Sequence, residues 1–175
     1  VHRLNSFLPR DISIKSIRPV KTDANARFDA KTRTYNYIIT RKKDPLLQGR
    51  ALYFFKPLEV EAMQRAARHL IGNHDFESFS KVKTDVNNFN CTIREARWEE
   101  TGDLLIFKIT ANRFLRGMVR AIVGTLLDVG TGKITAADFK EIISGKDRKR
   151  AGMNVAPEGL YLMNVSYPAS VFKKI

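Results

Sequence analysis

Cysteine is almost absent from this sequence, and long apolar runs do not occur in it. The single cysteine, Cys91, excludes an internal disulfide framework and a metal site built from cysteines, and it is typical of a reducing compartment. No apolar run approaches the ~20 residues of a membrane-spanning helix, so we expect no membrane partner. The three histidines are too scattered to predict a metal site. These absences favour a cytoplasmic protein without a metal.

Acidic residues are scarce beside basic ones. The chain has 31 lysines and arginines against 18 aspartates and glutamates, a net charge of +13 and a pI of about 10.1. Such an excess favours a polyanionic partner, with nucleic acid as the first candidate, although a merely soluble basic surface has the same composition. Hydrophobic residues make up 43% of the chain, and no repeat or linker interrupts it. We therefore expect a single domain over residues 1–175.

Several segments have the composition of β-strands. Residues 104–110 and 91–100 flank a turn that contains Gly102, which predicts a hairpin, and Leu105, Phe107 and Ile109 would then face the core. Further strands are predicted, the first of them weakly, over residues 12–20, 33–39, 51–55 and 160–167.

Helical spacing of apolar residues predicts three helices, over residues 59–71, 112–130 and 135–145. Thr135 would cap the third helix, with Asp138 in a near capping-box position. Strands and helices interleave around a hairpin. The predicted class is α+β, with a mainly antiparallel mixed sheet and helices packed on one face.

Arg120 is a charged residue within an otherwise apolar run. Nearly every other side chain over residues 118–127 is apolar, and a buried guanidinium is costly unless an anion pairs with it. Asp128 is poorly placed for that pairing, because eight residues exceed two helical turns. Another acid of this chain would be an ordinary partner, and a catalytic carboxylate would be a sharper one. Arg113 and Arg116 would share the helical face of Arg120.

Arg33, Tyr35 and Tyr37 alternate along a predicted strand and would point to one face of the sheet. One basic and two aromatic side chains on one face are typical of a surface that stacks on RNA bases and binds phosphate. The same pattern fits an aromatic cluster that covers the core. The residues alone favour neither interpretation.

Six motifs occur in an order that resembles the tRNA pseudouridine synthase A family. They run across almost the whole chain and comprise Leu4 to Ile12, Ala26 to Ala30, Arg33 to Tyr37, Asp75 to Phe79, Asn112 to Gly124 and Glu158 to Leu162. The resemblance is to the second, larger part of the family's catalytic fold. It implies an isomerase that converts uridines of the tRNA anticodon stem-loop to pseudouridine, without a metal or organic cofactor, as a homodimer.

The resemblance also implies residue roles. Tyr35 would stack on the target base and assist proton removal at C5, Arg120 would pair with a nucleophilic aspartate, and Leu160 would line the pocket. We expect tRNA contacts from six basic residues, although a solvated loop would explain the two lysines equally well: Arg27, Arg33, Arg113, Arg116, Lys81 and Lys83.

The nucleophile of the family is missing from this sequence. In the family it lies in a Gly-Arg-Thr-Asp-x-Gly-Val-His segment upstream of the motif that begins at Leu4. Asp23 follows Lys-Thr but lacks the Gly and Val-His that should come after it, so we reject it. We therefore expect a C-terminal part of a longer enzyme, beginning internally at Val1 and inactive alone.

Two other interpretations fit the sequence. A non-catalytic RNA-binding module would bind through Tyr35 and Tyr37 and would need no acid beside Arg120. A structural dimerisation domain would satisfy Arg120 with backbone carbonyls. The salt dependence of tRNA binding separates the last from the others, because a basic nucleic-acid surface loses affinity steeply with salt.

Overall fold

The computed structural model describes residues 1–81 and 88–173, which form two compact units. The larger unit comprises residues 31–166, and the smaller one comprises residues 1–30 with the chain end from residue 167. The single-domain organisation stays a prediction. No helix among the described residues has the length and apolar character that crossing a membrane requires.

The larger unit contains one six-stranded sheet. The strands are β1 (Thr32–Thr40), β2 (Leu52–Tyr53), β3 (Gly72–Asp75), β4 (Asn90–Thr101), β5 (Leu104–Ala111) and β6 (Leu160–Ser166). The path through the sheet is β2-β1-β5-β4-β3, and β6 also pairs with β1. Only the β1–β2 pair is parallel among these strands. The predicted α+β class with a mainly antiparallel sheet is confirmed.

Three helices of the larger unit contribute to its core. They are α2 (Val60–Arg68), α3 (Met118–Gly130) and α4 (Ala136–Gly145). Their buried side chains join one cluster with the inward face of the sheet, where Leu105, Phe107 and Ile109 are fully buried as predicted. Thr135 caps α4 in a capping box with Asp138, also as predicted.

The opposite face of the sheet is polar. Glu95 accepts a hydrogen bond from Arg97 at 2.6 Å and forms an ion pair with Lys108 at 3.3 Å. The Thr34 and Thr110 hydroxyls lie 2.9 Å apart. Burial opposes ionisation of Glu95, but the bonds from Arg97 and Lys108 outweigh it and lower the pKa of that carboxyl. The sheet thus separates an apolar face from a charged one.

The predicted helix over residues 112–130 is wrong in its first part. Gly117 has a φ of +78°, in the left-handed region, and α3 begins only at Met118. Asn112 accepts a hydrogen bond from the Thr92 backbone at 2.8 Å and thereby holds the preceding loop against β4. Arg113 and Arg116 precede the helix, so they do not share a helical face with Arg120.

Two predicted strands also differ from the structure. Over residues 12–20 no strand forms, and the one β-bridge there joins Val20 to Phe172 within the smaller unit. The strand over residues 51–55 is limited to Leu52–Tyr53. The smaller unit instead contains the helix α1 (His2–Phe7), which the sequence patterns did not predict.

Candidate active site

Arg120 is held at one edge of its guanidinium by the backbone. Eleven of the 13 residues of α3 are buried, but Arg120 in its first turn is half-buried. Its Nε donates a hydrogen bond to the Val155 carbonyl at 2.5 Å, and the Val155 amide donates to the Arg120 carbonyl at 3.3 Å. In the described part of the chain, no carboxylate forms an ion pair with Arg120. The two terminal nitrogens of its guanidinium therefore form no ion pair with a carboxylate of the described residues.

The segment after Val155 connects α3 to the sheet. The Tyr37 hydroxyl donates to the Ala156 carbonyl at 2.7 Å, next to the carbonyl that holds Arg120. An added Cβ at Gly159 would lie 2.6 Å from the Ile38 carbonyl oxygen, so only glycine fits there against β1. Leu160 then pairs with Tyr37 in the β6–β1 ladder. Arg120 and Leu160 are thus attached to the same short segment.

The two tyrosines of β1 have different environments. Tyr37 is fully buried, and its burial, with a smaller contribution from Glu158, raises the pKa of its hydroxyl. Tyr35 is half-buried, and its ring meets the Phe114 ring edge-on with centroids 5.2 Å apart. Tyr37 belongs to the core cluster, so a base-stacking surface that includes it is wrong. Tyr35 keeps part of its surface exposed to solvent.

The basic residues nearest to the site are partly engaged in the fold. Arg33 donates to the Asn112 carbonyl at 2.7 Å, and Arg113 donates to the Asn88 side chain at 3.4 Å. Both side chains are half-buried. They fix the loop between β5 and α3, which also carries Phe114.

The remaining predicted RNA contacts lie at the surface, in the smaller unit or outside the described residues. Arg116 is exposed, and its side chain has no hydrogen bond or ion pair within residues 1–81 and 88–173. Lys81 is exposed beside it, since its amide donates to the Arg116 carbonyl at 3.2 Å. Lys83 lies outside the described residues. Arg27 belongs to the smaller unit, where its guanidinium lies 5.3 Å from the centre of the Phe28 ring.

The motif from Asp75 to Phe79 has a packing role. Phe76 and Phe79 are fully buried, and the buried Ser78 hydroxyl donates to the Ile142 carbonyl of α4 at 2.6 Å. Asp75 forms an ion pair with Lys146 at 2.9 Å. These contacts attach α4 to the end of β3.

Comparison with known proteins supplies the family. The family model described as tRNA pseudouridine synthase matches residues 66–168 of the chain. The chain belongs to the tRNA pseudouridine synthase family. It is 53% identical over 173 residues to tRNA pseudouridine synthase A of Porphyromonas gingivalis, covering 97% of this chain and 68% of the relative. The Parabacteroides distasonis enzyme of that name is 48% identical over 170 residues, with the same two coverages.

A relative from Bacillus shows the similarity as well. tRNA pseudouridine synthase A of Bacillus subtilis is 44% identical over 168 residues, which cover 95% of this chain and 68% of the relative. The chain therefore spans about two thirds of the length of these synthases. The resemblance seen in the sequence motifs is confirmed.

The sequence patterns missed two parts of this candidate site. The Val155 carbonyl holds Arg120, and a backbone acceptor leaves no side-chain signal in a sequence. The apolar spacing places Phe114 in a helix, although Gly117 three residues later signals a helix boundary. The thiol of Cys91 is buried, and this burial raises its pKa to about 11.

Proposed function

We propose that this chain supplies part of the active site of a tRNA pseudouridine synthase that acts on uridines of the anticodon stem-loop. Arg120, Tyr35 and Leu160 would contact the reacting groups, and the nucleophilic aspartate would come from a segment outside these 175 residues. One observation carries the proposal. The Arg120 guanidinium is fixed through Nε, while no carboxylate of the described residues pairs with its other edge.

Arg120 would keep the nucleophile ionised and oriented. A carboxylate in a half-buried cleft loses hydration, which raises its pKa, and an adjacent guanidinium reverses that shift. The two terminal nitrogens of an arginine also match the two oxygens of a carboxylate. The aspartate attacks C1′ of the target nucleotide and the N-glycosidic bond breaks. The uracil turns, its C5 displaces the aspartate from C1′, and C5 then loses its proton while N1 gains one.

Tyr35 and Leu160 would hold the base during this rotation. A uridine within an RNA stem is accessible to an enzyme only after it has left its stack, and an aromatic ring compensates for the lost stacking. The Tyr35 hydroxyl has no hydrogen bond to any residue that the structure describes, so it is available to assist removal of the C5 proton. Leu160 provides an apolar wall that stays half-exposed.

The partner would be tRNA, and the net charge of +13 supports a polyanion. Arg116, which precedes α3, and Lys81 beside it are exposed and would bind phosphate. Arg27, Arg33, Arg113 and Lys83 complete the proposed tRNA contacts. The homodimer and the cytoplasmic location implied by the family resemblance are part of the same proposal, as is the absence of a cofactor.

The proposal is tested by comparing two proteins in one assay. The 175-residue chain and a longer protein that also carries a Gly-Arg-Thr-Asp segment are incubated with a tRNA anticodon-arm substrate, and pseudouridine is quantified. We expect product from the longer protein and none from the chain alone. Substantial turnover by the chain alone would refute the external nucleophile. No turnover by either protein would refute the assigned reaction.

A further inference from the structure

A loop on the surface of α3 is organised by one arginine. Residues 148–155, here called the Arg148 loop, lead into the segment that holds Arg120. Arg148 donates to the Ala151 and Gly152 carbonyls at 3.2 and 3.0 Å and to the Asn154 side chain at 3.2 Å. One half-buried guanidinium therefore joins three acceptors of its own loop.

The Arg148 loop lies directly on the helix. The Gly152 amide donates to the Thr125 hydroxyl of α3 at 2.8 Å. An added Cβ at Gly152 would lie 2.9 Å from the Gly124 carbonyl carbon, and one at Gly124 would overlap the Met153 carbonyl. The two backbones approach this closely only because both positions are glycine.

The Arg148 loop ends at the contact with Arg120. Val155 exchanges two hydrogen bonds with Arg120, one through the side-chain Nε and one between the backbones. A displacement of the Arg148 loop would therefore move the carbonyl that fixes the guanidinium. Since Nε is occupied by this carbonyl, the terminal nitrogens point in a direction that the loop determines.

We propose that Arg148 is a positioning residue, which sets the orientation of Arg120 through the Arg148 loop. The consequence for catalysis rests on the proposed function, because it requires a nucleophilic aspartate at the far edge of Arg120. The orientation itself does not. Arg148 uses three of its donors within the loop, so its role is distinct from that of an exposed arginine that binds RNA phosphate.

Arg150 provides a matched control. It is the same residue type two positions later, and its side chain pairs with Glu141 on the surface, at 3.3 Å. Removing it takes away one positive charge from the Arg148 loop and one surface contact with α4, but none of the hydrogen bonds within the Arg148 loop or between that loop and α3. A difference between Arg148→Ala and Arg150→Ala thus reports on the loop contacts, since the change in charge is equal.

The first readout is the hydrogen-exchange rate of the Arg120 Nε–H, measured by NMR on the 175-residue chain. In Arg148→Ala we expect the exchange rate to increase about fivefold to tenfold, which is the change in an equilibrium constant that the loss of one hydrogen bond causes. We expect no increase in Arg150→Ala. Arg148→Lys keeps the charge but not the planar fork, so an increase is expected there too. If Arg148→Ala does not fold, the exchange rate in Arg148→Lys tests the proposal. An unchanged rate in the folded Arg148 variants would overturn the proposal.

The second readout is the pH dependence of kcat in the longer protein. A displaced Arg120 stabilises the ionised nucleophile less, so the acid limb should move to higher pH in Arg148→Ala and stay in place in Arg150→Ala. A loss of folded protein alone lowers kcat without moving the limb. An unmoved limb in Arg148→Ala overturns the link to catalysis, whereas a complete absence of product from the unsubstituted longer protein refutes the proposed function and leaves the exchange result standing.

Discussion

At the scale of single residues, two neighbouring tyrosines of β1 differ in burial: one packs in the core, and the other is partly exposed. Tyr37 donates a hydrogen bond from its hydroxyl to the Ala156 carbonyl inside the core. The hydroxyl of Tyr35, two residues earlier on β1, has no hydrogen-bond partner among residues 1–81 and 88–173, and its half-exposed ring lies against Phe114. Both residues point to the same side of the strand. Their depth within the fold, rather than the face of the strand, determines which of them can meet a substrate.

The two tyrosines should respond differently to loss of the hydroxyl. In the longer protein, Tyr35→Phe should lower kcat about a hundredfold or more, because a group that assists proton transfer is lost, while affinity for tRNA changes little because the ring remains. Tyr37→Phe should lower the free energy of unfolding by about 1 kcal/mol through the lost hydrogen bond. Steady-state kinetics and urea unfolding measure the two effects. Normal turnover in Tyr35→Phe would exclude a role for its hydroxyl.

At the scale of elements, the decisive contact is the one between α3 and the Arg148 loop. Gly124 faces the Met153 carbonyl, whereas Gly130, near the other end of the same helix, faces the flexible side chains of Met63 and Leu58. Backbone atoms cannot move aside without displacing the loop, but the end of a methionine side chain can. The helix is therefore intolerant of added volume on the side of the loop.

Alanine substitutions distinguish the two glycines. Gly124→Ala should lower the free energy of unfolding by about 2 kcal/mol, because overpacking forces the loop away from the helix. Gly130→Ala should change it by less than about 1 kcal/mol, since the gain in helix propensity offsets the movement of Met63. Urea denaturation followed by circular dichroism provides both values. Equal effects would show that the loop does not lie against Gly124.

Elements with local signals were predictable from the sequence. The hairpin around Gly102 and the α4 capping box of Thr135 and Asp138 depend on residues adjacent in the chain, and both formed. The weak alternation over residues 12–20 gave a strand that does not form. The apolar spacing predicts a start of α3 at residue 112, which is too early, because this spacing continues past the boundary signal of Gly117.

The site was predictable only in part, for a similar reason. A charge within an apolar run singled out Arg120 without any knowledge of the fold. Its partner Val155 is 35 residues away and accepts through a backbone carbonyl, so the type of residue at that position does not indicate the contact. The burial of Tyr37 likewise depends on tertiary contacts, and a period of two along the strand cannot distinguish it from Tyr35.

At the scale of the whole molecule, the net charge of +13 should govern association with tRNA. Each lysine or arginine that neutralises a phosphate releases condensed counterions, so affinity falls with salt in proportion to the number of such contacts. Arg116 is the best placed of the proposed contacts, because it is exposed and has no side-chain partner in the described residues. Arg65 is also exposed but pairs with Glu61 at 3.9 Å on α2.

The salt dependence of binding tests this assignment. In the longer protein, Arg116→Ala should weaken tRNA binding and make the plot of log affinity against log salt shallower by about 0.7 to 0.9, the value of one phosphate contact. Arg65→Ala should leave the slope unchanged. Fluorescence anisotropy with labelled tRNA at several salt concentrations provides the slopes. Equal slopes in both variants would remove Arg116 from the tRNA surface.

The role of Arg120 as the anchor of an external nucleophile is tested most directly by Arg120→Ala in the longer protein. The variant leaves the aspartate unpaired in its cleft, so single-turnover formation of pseudouridine should slow by about 10²–10³-fold. Affinity for tRNA should stay within about threefold, because one charge of many is lost. A variant that forms pseudouridine at nearly the normal rate would contradict the account.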